Sequence, residues 1–323
     1  MTRSIWAASG RCDVEIACIA IDWGTSNRRG WALDSGATVL ERRSDDQGLI
    51  AVTAAGGNFA DSLAAFAQGW LGSAPVIMAG MVGSRGGWCE APYLEIPAAC
   101  DDLAGRLIAL PALAGSEIRI VPGMAKRVGP QPDVMRGEEC QLLGARLVRD
   151  IADGLFLLPG THAKWARMAG GRLVDFRTYM TGEIFGLLSH QGSLAQVIAG
   201  AAPGADAFDA DAFDRGIGRA RDISAGGITH QLFGVRSLSL FGELTPETAG
   251  SYLSGLLIGA EIMDALSWAG PERRIIAIGS AALLSRYAAA ATRFDIALDR
   301  LESDAILPPA LFALARQAGL IGK

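Results

Sequence analysis

Asp22-Trp23-Gly24-Thr25-Ser26-Asn27 follows directly on the apolar run Ile16–Ile21, IACIAI. A short apolar run that stops at Asp-Trp-Gly predicts a buried strand passing into a tight turn. Gly30–Asp34 and Thr38–Glu41, joined across Asp34-Ser35-Gly36, predict a hairpin beside it. The same succession recurs later. Leu155–Leu158 reads as a strand ending at Pro159-Gly160-Thr161, and Lys164–Met168 with Arg172–Phe176 as a hairpin across Gly170-Gly171. This repeat of pattern, without repeat of residues, predicts two similar α/β halves, residues 1–150 and 151–323, with a cleft between them.

The remaining segments fit that class. Phe59–Leu71 is helical in pattern, and Pro75–Ala79 is a buried strand running into Gly80-Met81-Val82-Gly83. The segment Ser84–Pro97 reads as a long loop, and loops of that length in compact domains are functional or mobile. Glu138–Asp150, Glu183–Ser189, Asp206–Arg221, Pro246–Trp268 and Pro308–Gln317 read as helices, and Ile275–Ile278 as a strand entering Gly279-Ser280.

Composition narrows the function. The 323 residues are 50% hydrophobic and 20% charged with a net charge of −5, which describes a folded, soluble chain. A mildly acidic chain has no electrostatic footprint for nucleic acid, so phosphate-bearing substrates must be held by a few placed groups. Cys12, Cys18, Cys89, Cys100 and Cys140 are scattered without a CxxC pair, and the histidines stand apart, which argues against zinc and for a reducing cytoplasm. No apolar stretch is long enough for a signal peptide or a membrane span, and the opening fifteen residues read as a frayed extension. Oligomeric state is not legible. Lysine occurs only at 126, 164 and 323.

Three turns, each ending a buried strand, carry the chemistry. In the first, Gly24 lets backbone approach a phosphate, and Thr25, Ser26 and Asn27 supply donors. Asp22 cannot meet phosphate without repulsion, so it is expected to act through Mg²⁺ and its waters; the plainer reading is a tight turn with a capping Asp. Gly160-Thr161 is the second turn. Gly279-Ser280, where a strand meets a helix N-terminus, is the third, and that geometry offers amides to an anion or to a ribose and its phosphate. Glu138 and Glu139 open a helix shortly before the second turn. Either could take a proton from an acceptor hydroxyl, and either could simply favour the helix dipole.

The order of these motifs resembles the superfamily of sugar kinases, actin and heat-shock ATPases, with phosphate-1, connect-1, phosphate-2 and adenosine motifs at Asp22–Asn27, Arg136–Glu139, Pro159–His162 and Gly279–Ala281. Within it, the chain from about Ile16 onward resembles the 2-dehydro-3-deoxygalactonokinase family. The stretches behind this are DWGTSN (22–27), MAGMVGS (78–84), GW (87–88) with PYL (92–94), MRGEE (135–139), PGTHAKW (159–165), DFRTYMTGE (175–183) and SGLLIGAE (254–261). The resemblance implies two actin-like (ribonuclease H-like) lobes with ATP and substrate between them. It also implies ATP- and Mg²⁺-dependent phosphorylation of 2-dehydro-3-deoxy-D-galactonate at its 6-hydroxyl, in cytoplasmic galactonate breakdown upstream of an aldolase. The small-molecule partner would be that sugar acid. Because arginine grips carboxylates, Arg85, Arg136 and Arg177 are the candidates for its acid group, with Ser84, Trp88 and Tyr93 nearby in the matching motifs. Lys164, next to the second turn, could neutralise phosphate charge, but the favoured expectation is an outward-facing strand residue. Two positions depart from the family pattern. Arg28 replaces an aliphatic residue and is expected to alter only a surface contact, and the second turn reads GTH rather than GTG. A water-using phosphohydrolase of the exopolyphosphatase type is the rival, and a sugar-sensing repressor lacks the basic DNA-binding segment it needs.

Overall fold

β1 (Cys18–Trp23) is apolar from Cys18 to Ile21 and buried on both faces, and it has a neighbouring strand on each edge. β2 (Arg28–Leu33) and β3 (Val39–Asp45) follow as antiparallel neighbours, and after α1 (Leu49–Ala54) and α2 (Phe59–Phe66), β4 (Val76–Gly80) runs parallel to β1. β5 (Tyr93–Glu95) and β6 (Ala98–Ala99) leave this sheet, and β7 (Ile108–Leu113) and β8 (Ser116–Ile120) complete it in the order β3-β2-β1-β4-β8-β7. This structure, a computed structural model, describes residues 15–129, 131–198, 208–222, 224 and 226–322. Residues 1–14 with Cys12, and the start of the helix expected from Asp206, lie outside them.

The chain forms two compact units. The first holds the residues up to Pro92, Leu103–Pro122 and Pro308 onward, and the second holds Tyr93–Asp102 and Gly123–Leu307. These boundaries differ from a single cut at residue 150, since residues 123–150 group with the second unit. In the first, Ile19, Ile21 and Trp23 pack with Val76, Met78, Ile118, Ile120 and the α2 residues Leu63 and Phe66. Each such side chain contributes roughly 1.5–3 kcal/mol on burial. Arg28 is not at the surface as expected. Its side chain is buried between the rings of Trp23 and Phe66, pairs with Asp45 at 2.6 Å and donates to Ser62 O and Oγ. An apolar stem and a planar cation suit that aromatic slot, and Asp45 neutralises the charge.

In the second unit, β9 (Gly123–Lys126) and β10 (Asp133–Met135) join β5 in a three-stranded sheet that the short, mixed sequence runs do not signal. α3 (Glu138–Arg149) leads to β11 (Gly154–Leu158), β12 (Ala163–Ala169) and β13 (Arg172–Tyr179). Then come α4 (Thr181–His190), α5 (Gly192–Ile198), α6 (Ala210–Arg221), α7 (Ile228–Leu240) and α8 (Pro246–Ala269). β14 (Arg274–Gly279), α9 (Ala281–Ala291), β15 (Ala297–Glu302) and α10 (Ser303–Gln317) close the chain. The sheet order is β15-β14-β11-β12-β13-β6, with β11, β14 and β15 parallel and the β11-β12-β13 meander antiparallel. The run β13-β12-β11-β14-β15 repeats the topology of β3-β2-β1-β4-β8. The repeated pattern in the sequence is therefore a repeated fold. Among the described residues, no helix is long and apolar enough to cross a membrane.

Candidate functional site

Ligand groups in such folds meet the carboxyl ends of parallel strands. In the first unit those ends belong to β1 and β4, paired through Trp23 and Gly80. The turn after β1 closes with Gly24 N–H donating to Asn27 O, leaving Thr25 half-buried and Ser26 and Asn27 exposed. Its carbonyls are stitched to the start of α1, since Leu49 N–H donates to Gly24 O and Ile50 N–H to Thr25 O. Gly48 makes this possible: a Cβ there would sit 2.4–2.6 Å from backbone atoms of Thr25 and Ser26. Asp22 is 15% exposed at the side chain and receives a hydrogen bond from Arg29, its partner across the hairpin. Among the described residues no three His, Cys, Asp or Glu side chains gather as an all-protein metal site. A single carboxylate is nevertheless what a cation held mainly by phosphate oxygens and waters requires.

After β4 the chain makes a tight turn at Met81–Gly83, and Trp88 and Ala91 donate their N–H groups back to Val82 O and Gly83 O. Ser84 Oγ donates to Met81 O, so it shapes this loop. Trp88 packs against the first unit's core rather than standing free. Arg85 is 90% exposed at the side chain, with Glu90 at 3.5 Å, a surface pair worth about 0–1 kcal/mol.

The second unit separates the two adjacent glutamates. Successive helical residues diverge by about 100°, and the start of α3 turns Glu138 and Glu139 to different surroundings. Glu138 keeps 19% side-chain exposure; its Oε2 accepts from Arg136 N–H at 3.0 Å, and its Oε1 lies 3.0 Å from Lys164 Nζ. Glu139 is wholly buried and bends back to accept from Gly137 N–H. It is therefore a helix-start acid rather than a second candidate base. Burial, with the neighbouring Glu138 charge, pushes its carboxyl from 4.5 up to about 7. Between those values the folded chain keeps a proton that the unfolded chain releases, so stability is full below about 4.5 and is lost as pH rises through about 7, by about 3 kcal/mol in all. Melting curves of Glu139→Gln and the parent from pH 4.5 to 8 are expected to diverge in favour of the variant as pH rises. A constant Tm difference across that range would contradict the assignment.

Lys164 corrects a further expectation. It is 4% exposed, and besides Glu138 its ammonium donates to His162 O at 3.1 Å. Both faces of β12 are covered here: Trp165 points into the core on one face, and Lys164 points to Glu138 on the other.

The second turn, Pro159-Gly160-Thr161, follows β11, and the third, Gly279-Ser280, follows β14; these are neighbouring parallel strands. Gly160 is half-buried and Thr161 exposed. Ser280 caps α9, its hydroxyl accepting from Leu283 N–H at 3.5 Å, and Gly279 ends β14 immediately before it. Gly182 lies against the second turn so closely that a Cβ would meet Gly160 O at 2.3 Å and Thr161 Cα at 2.9 Å. Glu183 N–H donates to Thr161 O, and its carboxylate pairs with His162. A hollow of about 50 Å³ opens beside Gly160 among Phe185, Leu257, Ile258, Leu283 and Arg286. Beneath it, Glu261 of α8 is buried and accepts from Trp165 Nε1, Thr181 Oγ1 and Tyr287 OH. Burial raises its carboxyl and, with the Glu261 charge, raises the Tyr287 hydroxyl too. This hub ties β12, α4 and α9 to one helix. Its signal in the sequence is a lone acid inside the apolar stretch Leu253–Ile262.

Arg136 is 8% exposed, and its guanidinium lies over the Tyr93 ring, 4.4 Å from the centroid. Arg177 does not join them. It pairs across the sheet with Trp165, so it shares Trp165's face and reaches Asp264 on α8, whereas Lys164 and Thr178 share the opposite face with Glu138 and Asp133. Arg177 instead lines a groove of about 640 Å³ at the edge of β13 with Lys126, Asp133, Asp175, Asp264 and Trp268. That larger hollow holds none of the motif turns, and each of its carboxylates is engaged by a neighbouring side chain.

Known proteins resemble this chain along most of its length. A family model described as 2-keto-3-deoxy-galactonokinase matches residues 22–314. A curated 2-dehydro-3-deoxygalactonokinase of Rhizobium meliloti (strain 1021) is 38% identical over 301 residues, covering 92% of this chain and 96% of that protein. That of Escherichia coli (strain K12) is 38% identical over 270 residues, covering 83% and 87%. A crystal structure described as a 2-dehydro-3-deoxygalactonokinase protein from Sinorhizobium meliloti superposes with a TM-score of 0.86 at 36% identity, covering 95% of this chain and 98% of that one. A Clostridium difficile dehydratase activator with bound ADPNP shares the fold alone, at a TM-score of 0.52 and 13% identity over 94% of this chain and 96% of that one.

Proposed function

Because the chain belongs to the 2-keto-3-deoxy-galactonokinase family, we propose that it moves the γ-phosphate of ATP to the 6-hydroxyl of 2-dehydro-3-deoxy-D-galactonate, with Glu138 as the base. The chain is a carbohydrate kinase of galactonate catabolism, and the phosphohydrolase reading has no support among its relatives. What carries the finer reading is one juxtaposition. Glu138 stands at the start of α3, linked through Lys164 to the backbone of the second phosphate turn.

In this reading Glu138 accepts the proton of the acceptor hydroxyl as its oxygen bonds to the γ-phosphorus, and the bridging P–O bond breaks to release ADP with the electron pair. Phosphoryl transfer asks the protein mainly for positioning and charge stabilisation. Thr161, with the amides of its turn, would hold phosphate oxygens, and the Ser280-capped start of α9 would face the nucleoside side. The first turn, Gly24–Asn27, would add donors from Thr25 and Ser26. Mg²⁺ would supply charge neutralisation at the phosphates, with Asp22 as its protein anchor through water. Arg136, stacked on Tyr93, is the arginine best prepared for the substrate carboxylate, since stacking fixes the plane of its donor fork. Arg85 and Ser84 have weaker claims: the first is a solvated side chain and the second is spent on its own loop.

With ATP·Mg²⁺, ADP release is expected to rise steeply when the sugar acid is added. Equal ADP release with and without the acid would overturn the proposal.

A further inference from the structure

Lysine fills only three of the twenty-nine Lys and Arg positions in this chain, yet it, not arginine, occupies the buried site between α3 and the second phosphate turn. Burying an ammonium is costly, and a buried ion pair is commonly no more stabilising than apolar side chains of the same volume. Stability alone therefore does not explain Lys164. Its geometry does more. One Nζ lies 3.0 Å from Glu138 Oε1 and 3.1 Å from His162 O, so a single group bridges the carboxylate read as the base and the carbonyl of the residue that follows Thr161.

The other carboxylate oxygen, Oε2, accepts from Arg136 N–H at 3.0 Å. Glu138 is thus gripped at both oxygens, which fixes its rotamer, while a carboxylate oxygen retains lone-pair capacity for a further donor. In phosphoryl transfer the orientation of the nucleophile counts for more than proton affinity, so a carboxylate held in one rotamer is what the step asks for. Lysine suits the task where arginine does not. Its compact charge carries three rotatable donors and can serve a carboxylate and a carbonyl in different directions, whereas a planar fork is built for two parallel bonds.

We propose that Lys164 is a positioning residue that couples the second phosphate turn to Glu138, so that the base is aligned only when the turn is correctly placed. This rests on the reading of Glu138 as the base. Lys164 touches neither reactant in this scheme.

The test is a kinetic cycle on the full chain with ATP·Mg²⁺ and the sugar acid, using Lys164→Gln, Glu138→Gln and the double variant. Lys164→Gln is expected to lower kcat about tenfold, the scale of a slightly misplaced catalytic group, with both KM values within about threefold of the parent. The double variant is expected to be no slower than Glu138→Gln alone, because a positioning residue has nothing left to position. Parental kcat in Lys164→Gln, a loss confined to the KM for ATP, or losses that multiply in the double variant would each overturn the coupling. Should Lys164→Gln fail to fold, Lys164→Arg keeps the charge and replaces the compact ammonium with a planar fork. A reduced kcat at unchanged KM is expected there, and parental kcat overturns the idea. The two claims fail separately: parental kcat in folded Glu138→Gln removes the base assignment, whereas a slow Glu138→Gln beside a fast Lys164→Gln removes only the coupling.

Discussion

Glu138→Gln is expected to reduce kcat by about 10²–10⁴-fold, the range for losing a positioned general base. Glutamine keeps the length of the side chain and an acceptor for Arg136 N–H, so the start of α3 has no steric reason to move. What it removes is the charge and the capacity to hold a proton. It also leaves the Lys164 ammonium without its anion, and breaking a buried pair can cost about 3–5 kcal/mol. Activity must therefore be read well below the variant's Tm. Glu139→Gln is the internal comparison, because the neighbouring carboxylate is wholly buried and engaged by Gly137 N–H. Its kcat is expected to stay within about threefold of the parent. Near-parental kcat in a folded Glu138→Gln, or a large loss in Glu139→Gln at unchanged stability, would reverse the assignment.

Gly182→Ala is expected to lower kcat/KM for ATP by on the order of 10²-fold. The added methyl meets Gly160 O at 2.3 Å and Thr161 Cα at 2.9 Å, and ordinary contact begins near 3.4 Å, so the turn or α4 must shift by about 1 Å. Neither partner is a flexible side-chain end; both are backbone of the second turn. A displacement of that size in a group that aligns reacting atoms can cost about 10²-fold. The control is Gly186→Ala, one turn along the same helix, where a Cβ has nothing within 4 Å. Alanine there should stabilise the helix by up to about 1 kcal/mol and leave kinetics unchanged. If the two variants behave alike, the second turn is not where the nucleotide's phosphates are held.

Much of the architecture is legible in the residues because buried central strands write themselves as apolar runs. Ile16–Ile21, Pro75–Ala79, Leu155–Leu158 and Ile275–Ile278 each lie within a residue or two of an observed strand, and each runs into a glycine-bearing turn. What the sequence hides is phase and long-range pairing. Whether Glu138 or Glu139 faces outward depends on the rotation of α3, which two adjacent acids cannot reveal. Lys164 and Arg177 exchange their expected surroundings for the same reason: strand alternation is plain, but which face is buried is set by elements far away, α3 for one and α8 for the other. The sheet of β5, β9 and β10 is built from strands of three or four residues joined across distant segments, so no local signal marks it. Arg28 looks like a surface residue until its aromatic neighbours are known. Helix α7 mixes apolar and polar residues on all sides, leaving Phe233 and Leu240 exposed, and has no one-sided stripe to betray it.

The most direct test of the central claim is the ³¹P spectrum of a reaction containing the chain, ATP·Mg²⁺ and 2-dehydro-3-deoxy-D-galactonate. A new phosphate-monoester signal split into a triplet by the two protons of C6, growing as ADP appears, is the predicted result. ADP accompanied only by inorganic phosphate, or a monoester split as a doublet, would contradict the account.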